Sequence, residues 1–537
     1  MRLAIAQRIW WEESRTGRWT YAGLLVLVLV FVLATLGERL TDSTAFAASV
    51  AVMFSAIVLM LIDFRLSLLL FVGFLFSYEE FNIASEQAFV EENIANTVMA
   101  VKILGFALMD VISLVFLLPV LLREWRRAVA NGRWRWLKSD AYLLPLAIVW
   151  LYGIVPGLLN MNSISDFTWD LRMLLHVFIF YFIFSRSFTT RRDYLLALLV
   201  GGGVFLIKHG VFFYRYLTGG GLQTGMYNRV LLGSDLPLTA LALALTVTAL
   251  FVYRARWRKP GAAAESALQD GSLTAAAWRS KTQHWVLLLL SGYFTVMLIA
   301  GLGKLTYLQA AYSLLLVLLL HRQDVRLRTV LALAAVAAAG SVLVFFTILP
   351  EVGRDAIVYA LSSAFNWWDA LKLYGDLSFG TRLLEVLNVW AVLVRDNAVL
   401  WGLGWGSAWR EIAMHMPYDG GSFAVTEQYT GVHIQTHIDA ITFMLKVGIL
   451  GTLAIYASMF RFWLAGMRMY RRQTTAWEKW ALMALILMIA IFAPNYLYFI
   501  RLKYLLGFAL AGVAVFAGTD DSRETANTGI ADSDHAE

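Results

Sequence analysis

Residues 285–300 read Trp-Val-Leu-Leu-Leu-Leu-Ser-Gly-Tyr-Phe-Thr-Val-Met-Leu-Ile-Ala, a run with no charged side chain. As a helix it covers roughly 24 Å, and snorkelling flanks close the gap to a hydrocarbon core of ~30 Å. Tyr21–Leu36 and Trp480–Ala493 have the same character. Around these three runs, the same criterion marks about fourteen candidate spans. They are 20–36, 44–62, 66–78, 97–121, 141–159, 171–185, 194–216, 230–253, 284–301, 305–320, 329–349, 439–463, 477–495 and 500–517. A length of 537 residues by itself suggests three or four soluble domains, but 60% of the chain is hydrophobic and only 15% charged. A globular chain is nearer half apolar and a quarter charged. Backbone groups in lipid must be satisfied within the segment, and these runs are too long for barrel strands. The sequence therefore predicts an all-α polytopic membrane protein with about 12–14 transmembrane helices.

Charge sets the expected orientation. With the N-terminus in the cytoplasm, the basic groups Arg2/Arg8/Arg15/Arg18, Arg123 to Lys138, Arg191/Arg192, Arg254 to Lys259, Arg322/Arg326/Arg328 and Arg468/Arg471/Arg472 all fall inside. The intervening connections are poor in base, and 78–96 carries five glutamates with no Lys or Arg. This alternation follows the positive-inside rule and implies an even number of crossings, with both ends cytoplasmic. The net charge of 44 − 37 = +7 is thus read as topology, not as affinity for nucleic acid. Cysteine is absent, which excludes a disulfide scaffold and a Cys-ligated metal site. The first apolar run is long and lacks a small-residue cleavage pattern, so no cleavable signal peptide is expected.

The chain divides into an N-terminal bundle (1–349), a loop (350–438), C-terminal spans (439–518) and an acidic tail (519–537), expected to be disordered and cytoplasmic. Residues 260–278 read as a flexible cytoplasmic connection. Inverted repeats of the transporter kind are not evident. The outer, periplasmic loop 350–438 holds six of the twenty tryptophans, and loops of that length tend to be functional. Within it Leu383, Val386, Leu387, Trp390 and Val394 recur at helical spacing, with Arg382, Glu385, Asn388 and Arg395 off the stripe. An amphipathic helix is expected over 382–400, resting on the membrane surface or on the bundle. Thr381 is its expected N-cap, and Gly402 lies just past its end.

Cations are scarce on the outer side: Arg229, Lys304, Arg354, Lys372, Arg382, Arg395, Arg410 and Arg501/Lys503, with Arg172 and Arg215 near outer helix ends. Individually each can pair locally or snorkel. As a group they suggest an anion site, because a guanidinium grips phosphate oxygens bidentately. The run Gly431-Val432-His433-Ile434-Gln435-Thr436-His437-Ile438-Asp439 follows. Two histidines four apart can share a helix face and ligate zinc, can be structural, or can supply a general base of near-neutral pKa. Asp439 can orient the imidazole or cap the helix that begins there.

The order of an Arg-bearing helix from Thr381-Arg382, a glycine turn Gly402-Leu403-Gly404-Trp405-Gly406, and His437 ahead of Gly448-Ile449-Leu450-Gly451 resembles the O-antigen ligase and polymerase superfamily. The resemblance covers roughly 376–455; elsewhere it extends only to the many spans. Ile438 stands where the family usually has Asn, and Lys304, in Gly301-Leu302-Gly303-Lys304, where it often has Arg. The resemblance implies a GT-C-like fold and an inverting transfer, without metal or other cofactor, of glycan from a polyprenyl diphosphate carrier. The acceptor hydroxyl would belong to a glycan, a lipid A core or a protein. It implies His437 as the base and Arg382, Lys304, Arg229, Arg215 and Arg501 on the diphosphate. Glu385, read as a structural partner of Arg382, joins His433, Asp439, Gly404 and Gly448 in support. The rival expectations are a transporter or flippase of a lipid-linked or anionic substrate, favoured by ionisable residues within spans (Asp110, His176, Lys208, His209, Asp235), and a membrane scaffold.

Overall fold

The computed structural model describes residues 63–77, 102–103, 106–132, 134, 136–217, 222–224, 227–229, 235–257, 273–300, 304–321, 377–415, 431–434, 436–473, 475–494 and 500–531. The spans expected at 20–36, 44–62 and 329–349 lie outside them, as do Arg354, Lys372, Trp367 and Trp368. The described chain is helical: α1 Phe64–Ser77, α2 Leu108–Asn131, α3 Leu144–Tyr152, α4 Ile154–Leu159, α5 Ile164–Ser187, α6 Arg191–Leu217, α7 Asp235–Trp257, α8 Leu273–Ala300, α9 Lys304–Leu320, α10 Leu377–Arg395, α11 Asp439–Arg472, α12 Ala476–Phe492 and α13 Ile500–Ala531. Sheet is confined to three two-stranded antiparallel pairs: β1–β2 (Lys102–Ile103, Phe106–Ala107), β3–β4 (Leu222–Thr224, Tyr227–Arg229) and β5–β6 (Trp409–Arg410, Val432–His433). Among the described residues, five segments are long and apolar enough to cross a membrane: Lys138–Leu159, Ile164–Ser187, Arg191–Val211, Asp235–Val252 and Asp439–Arg472. The chain therefore has the helices that an all-α membrane protein requires.

The centre of the bundle is α12, apolar on every side. Its stretch Ala481–Ile489 is buried throughout, and α7, α11 and α13 pack around it. A helix apolar all round has no face to give to water, so it takes the core. Along α3 and α4 the exposed side chains are Leu144, Ile148, Leu151, Val155, Leu158 and Leu159, a surface suited to lipid. Among the described residues, the connections that follow α2, α5 and α11 meet at one end of the bundle. There Arg186 pairs with Asp140 at 2.6 Å, Arg123 donates to the Arg186 carbonyl at 2.7 Å, and Arg191 reaches Gln473 at 2.9 Å and Glu478 at 3.1 Å.

Three expectations need correction. α13 continues to Ala531, so 519–531 is helical where a disordered tail was expected; extending an existing helix avoids the nucleation that an isolated polar segment would face. Residues 532–537 lie outside the described part. By the same logic α8 begins at Leu273, inside the connection 260–278. The amphipathic helix runs Leu377–Arg395 instead of 382–400, so Thr381 is interior and cannot cap it. It stops at Asn397, which takes a left-handed conformation (φ 52°), with Ala398 N–H donating to Leu393 O at 2.8 Å and Asn397 N–H to Val394 O at 3.2 Å. This is a Schellman ending with asparagine in the place more often held by glycine.

Candidate functional site

α10 buries a mixed face that carries two polar side chains, Glu385 and Asn388, among apolar ones. Leu384, Glu385, Asn388, Val389, Val392 and Leu393 face the protein, while Leu387, Trp390 and Val394, from the apolar stripe, are exposed. That is the arrangement of a helix whose outer surface meets something other than water. The inward polar residues are anchors. Asn388 accepts from the amides of Ala413 (2.8 Å) and Met414 (3.1 Å) and donates to the Met414 carbonyl at 2.8 Å. One turn earlier, Glu385 holds His437 twice: one oxygen accepts the His437 backbone N–H at 2.9 Å, the other lies 2.5 Å from Nδ1. Glu385 is therefore the partner of His437, a correction to its reading as the partner of Arg382. A carboxylate can only accept, so Nδ1 carries the proton and the lone pair of the neutral ring lies on Nε2. The His437 side chain is 39% exposed and the Glu385 side chain 1%, so the ring has a buried carboxylate behind it and an accessible face.

His433 does not share a helix face with His437. It lies on β6, paired in register with Trp409 of β5, and its ring stacks on the indole at 4.2 Å. Its Nε2 meets Glu411 at 2.9 Å, and the same carboxylate lies 3.4 Å from exposed His415. His433 is fully buried and acts as a strut for the 409–433 pair. Among the described residues no group of three or more His, Cys, Asp or Glu side chains is placed to hold a metal ion. Asp439 is the first helical residue of α11 and not its cap; the cap position is Ile438, which makes no side-chain bond, and the Thr436 amide is satisfied by Thr442 Oγ1 at 3.0 Å. Asp439 is buried in the first turn, where an acid meets the positive end of the helix dipole.

The glycine turn and Gly448 belong to one construction. Gly448 (φ 69°, ψ −177°) breaks α11 into 439–447 and 449–472. Two carbonyls and two amides beside the break are taken by the turn and the residues just before it. Leu403 N–H donates to Leu445 O (2.8 Å) and Gly404 N–H to Lys446 O (2.7 Å), while Ile449 N–H reaches Val399 O (3.0 Å) and Leu450 N–H reaches Leu400 O (3.3 Å). Broken backbone at membrane depth is tolerated only when protein satisfies it in this way. The approach leaves no room for side chains: a Cβ on Gly404 (φ 85°) would lie 2.0 Å from Gly157 N, and one on Gly448 2.2 Å from Leu400 O. Trp405 seals the turn, its indole N–H donating to Trp150 O at 2.8 Å and its amide to Gly153 O at 3.0 Å.

Beneath the turn lies an ion pair that sequence reading overlooked. Lys446 Nζ is 2.8 Å from Asp170 Oδ2, both side chains are fully buried, and Lys446 also donates to Ser407 O. The same Asp170 oxygen accepts the Gly406 N–H at 2.6 Å. A lysine inside an apolar span was the available signal. The other ionisable span residues are also engaged. Lys208 pairs with Asp235 at 2.8 Å, His209 Nε2 lies 3.3 Å from Thr239 Oγ1, and Asp110 lies between Arg172 (3.2 Å) and His176 (3.0 Å). Outside the spans, Arg395 clasps Asp396 with two bonds of 2.7 and 2.8 Å, and this hydrogen bonding holds the Asp396 carboxyl below the usual carboxylate range.

Of the expected diphosphate ligands, Arg382 stands on α10 one turn before Glu385 and is half-buried. Arg215 lies in the last turn of α6, Arg229 ends β4, Lys304 opens α9 and Arg501 is the second residue of α13; their side chains lie outside the described residues. The structure thus brings together His437 and Glu385, with Asp439 two residues on and Arg382 one turn earlier on α10, while Gly404 and Gly448 meet at the far end of 439–447. Compared with known protein families and with curated proteins, the chain matches none.

Proposed function

We propose that the chain is an inverting membrane glycosyltransferase that moves glycan from a polyprenyl diphosphate carrier to an acceptor hydroxyl at the outer, periplasmic face, as an O-antigen or exopolysaccharide polymerase or ligase does. The observation that carries the reading is the Glu385–His437 pair: an accessible imidazole whose tautomer is set by a buried carboxylate. In the proposed step, Nε2 of His437 takes the acceptor O–H proton as that oxygen forms its bond to the anomeric carbon. The bond from that carbon to the diphosphate oxygen breaks on the opposite face, and the diphosphate leaves with the electron pair. Direct displacement inverts the centre. Residues three apart on a helix have Cβ atoms about 5–6 Å apart, so α10 carries both Glu385 and Arg382, a cation for the leaving diphosphate, on one rigid element. Glu385 then serves as a positioning residue.

The test mixes purified protein with a polyprenyl diphosphate oligosaccharide and an acceptor, without added metal or nucleotide. The expected product is lengthened or transferred glycan, reduced ~10²–10⁴-fold in His437→Ala. Undiminished turnover in that variant refutes the role of His437. The buried Lys208–Asp235 pair favours a second reading, transport of a lipid-linked or anionic substrate. Its signature is substrate crossing a vesicle bilayer chemically unchanged.

A further inference from the structure

α2 carries a feature that neither the packing of the bundle nor the proposed transfer uses. Beyond Pro119 the helix continues to Asn131, and one flank forms an open groove of about 510 Å³ lined by Leu122, Arg123, Arg126, Arg127 and Ala130 among others. Two of the guanidinium groups are held in place: Arg127 pairs with buried Glu124 at 2.7 Å, and Arg123 donates to the Arg186 carbonyl at 2.7 Å. Arg126 is exposed. Arg123, Arg126 and Arg127 against Glu124 leave the groove with an excess of two positive charges (3 − 1 = 2).

Alongside the groove, Leu114, Leu118, Leu121, Leu122, Trp125 and Val129 are all exposed. Their spacing places them in one stripe along the helix, and Leu122 belongs to both the stripe and the groove. Trp134 and Trp136, just past the helix end, are exposed as well, and tryptophan settles at headgroup level. The stripe needs hydrocarbon, whereas the arginines need an anion at the depth where the hydrocarbon ends. A nucleic acid or an acidic peptide would satisfy only the charge. One molecule with two acyl chains and a phosphodiester satisfies both.

We propose that this groove is a defined, saturable site for an anionic glycerophospholipid, its phosphate among Arg123, Arg126 and Arg127 and its chains along the Leu114–Val129 stripe. The experiment is native mass spectrometry of the full chain, released from micelles that contain phosphatidylglycerol and phosphatidylcholine with identical chains in equal amounts. The expected result is preferential, saturating retention of phosphatidylglycerol that excess inorganic phosphate does not displace. Removing one cation near the headgroup weakens binding about fivefold, so Arg126→Gln lowers the retained fraction by that factor and Arg126→Lys restores it. Equal retention of the two lipids, displacement by inorganic phosphate alone, or undiminished retention in Arg126→Gln would each overturn the proposal.

Discussion

The Lys446–Asp170 pair makes the sharpest prediction about what holds the glycine turn in the helix break. Lys446→Met leaves the Asp170 carboxylate buried with one backbone donor, the Gly406 amide. Asp170→Asn leaves the ammonium buried without its counter-charge, held only by neutral acceptors such as the Ser407 carbonyl. Stranding one member of a buried pair costs about 3–5 kcal/mol, which is ~10²–10³-fold or more in the opening equilibrium of the turn. Replacing both members leaves no buried charge, and such replacements are often neutral. The double variant is therefore expected to cost less than either single variant, far below the sum of the two losses, which is the mark of strong coupling between the two positions. Hydrogen exchange reads this locally, through the amides of Leu403, Gly404, Trp405 and Gly406, all of which donate inside the docked turn. Each single variant should speed their exchange by two orders of magnitude or more, with little change in the amides of α12, and the double variant should reverse it. Unchanged exchange at 403–406 in Lys446→Met, or a double variant as fast as the sum of its parts, refutes the argument.

Two further outcomes follow from the same geometry. In Gly404→Ala the new methyl meets the backbone of Gly157 at 2.0 Å, so the turn cannot dock; the loss exceeds about 3 kcal/mol and is read as collapse of monodisperse yield in detergent, whereas an unaltered elution profile would contradict the close packing. Glu385→Gln keeps the shape of the site but no longer requires a proton on Nδ1. Glycan transfer should fall ~10²-fold or more, by analogy with the loss of the orienting carboxylate in a hydrolase triad, while the melting behaviour stays near wild type. Full activity with glutamine would remove Glu385 from the site.

Helices were legible because an apolar run of membrane length has no other stable solution in lipid, and the eleven spans from 66–78 to 305–320 and from 439–463 to 500–517 each fall at least in part on an observed helix, 97–121 only from Leu108 onward. Their ends were less legible. Gly402 is a stronger stop signal than Asn397, yet asparagine ended α10, because a Schellman turn needs only a residue that tolerates positive φ. The site was legible in its members and not in its pairings. Glu385 has Arg382 three residues away, so local spacing points there, whereas its partner His437 arrives from another element. Lys446 looks like an isolated charge in an apolar span and Asp170 like one of the charges, with Asp166 and Arg172, at the end of another, and only the folded chain places them 2.8 Å apart. Spacing reports what a helix brings together and is silent about what tertiary packing brings together.

The break at Gly448 and the imidazole of His437 are two ends of one short lever. Residues 439–447 form a helical segment of roughly 13 Å. At its far end the Leu445 and Lys446 carbonyls are held by Leu403 and Gly404, and the Lys446 side chain by Asp170 and Ser407. At its near end Glu385 grips both the ring and the backbone of His437. An unbroken helix would have satisfied its own carbonyls and left nothing for the turn to hold; His437 would then follow the motion of a long helix anchored only by packing. The discontinuity exchanges internal hydrogen bonds for bonds to the segment 399–404, and so fixes the imidazole relative to the loop rather than to the span. That exchange explains why the glycines at 404 and 448 and the histidine at 437 occur together: the first two make the break that holds the third in place.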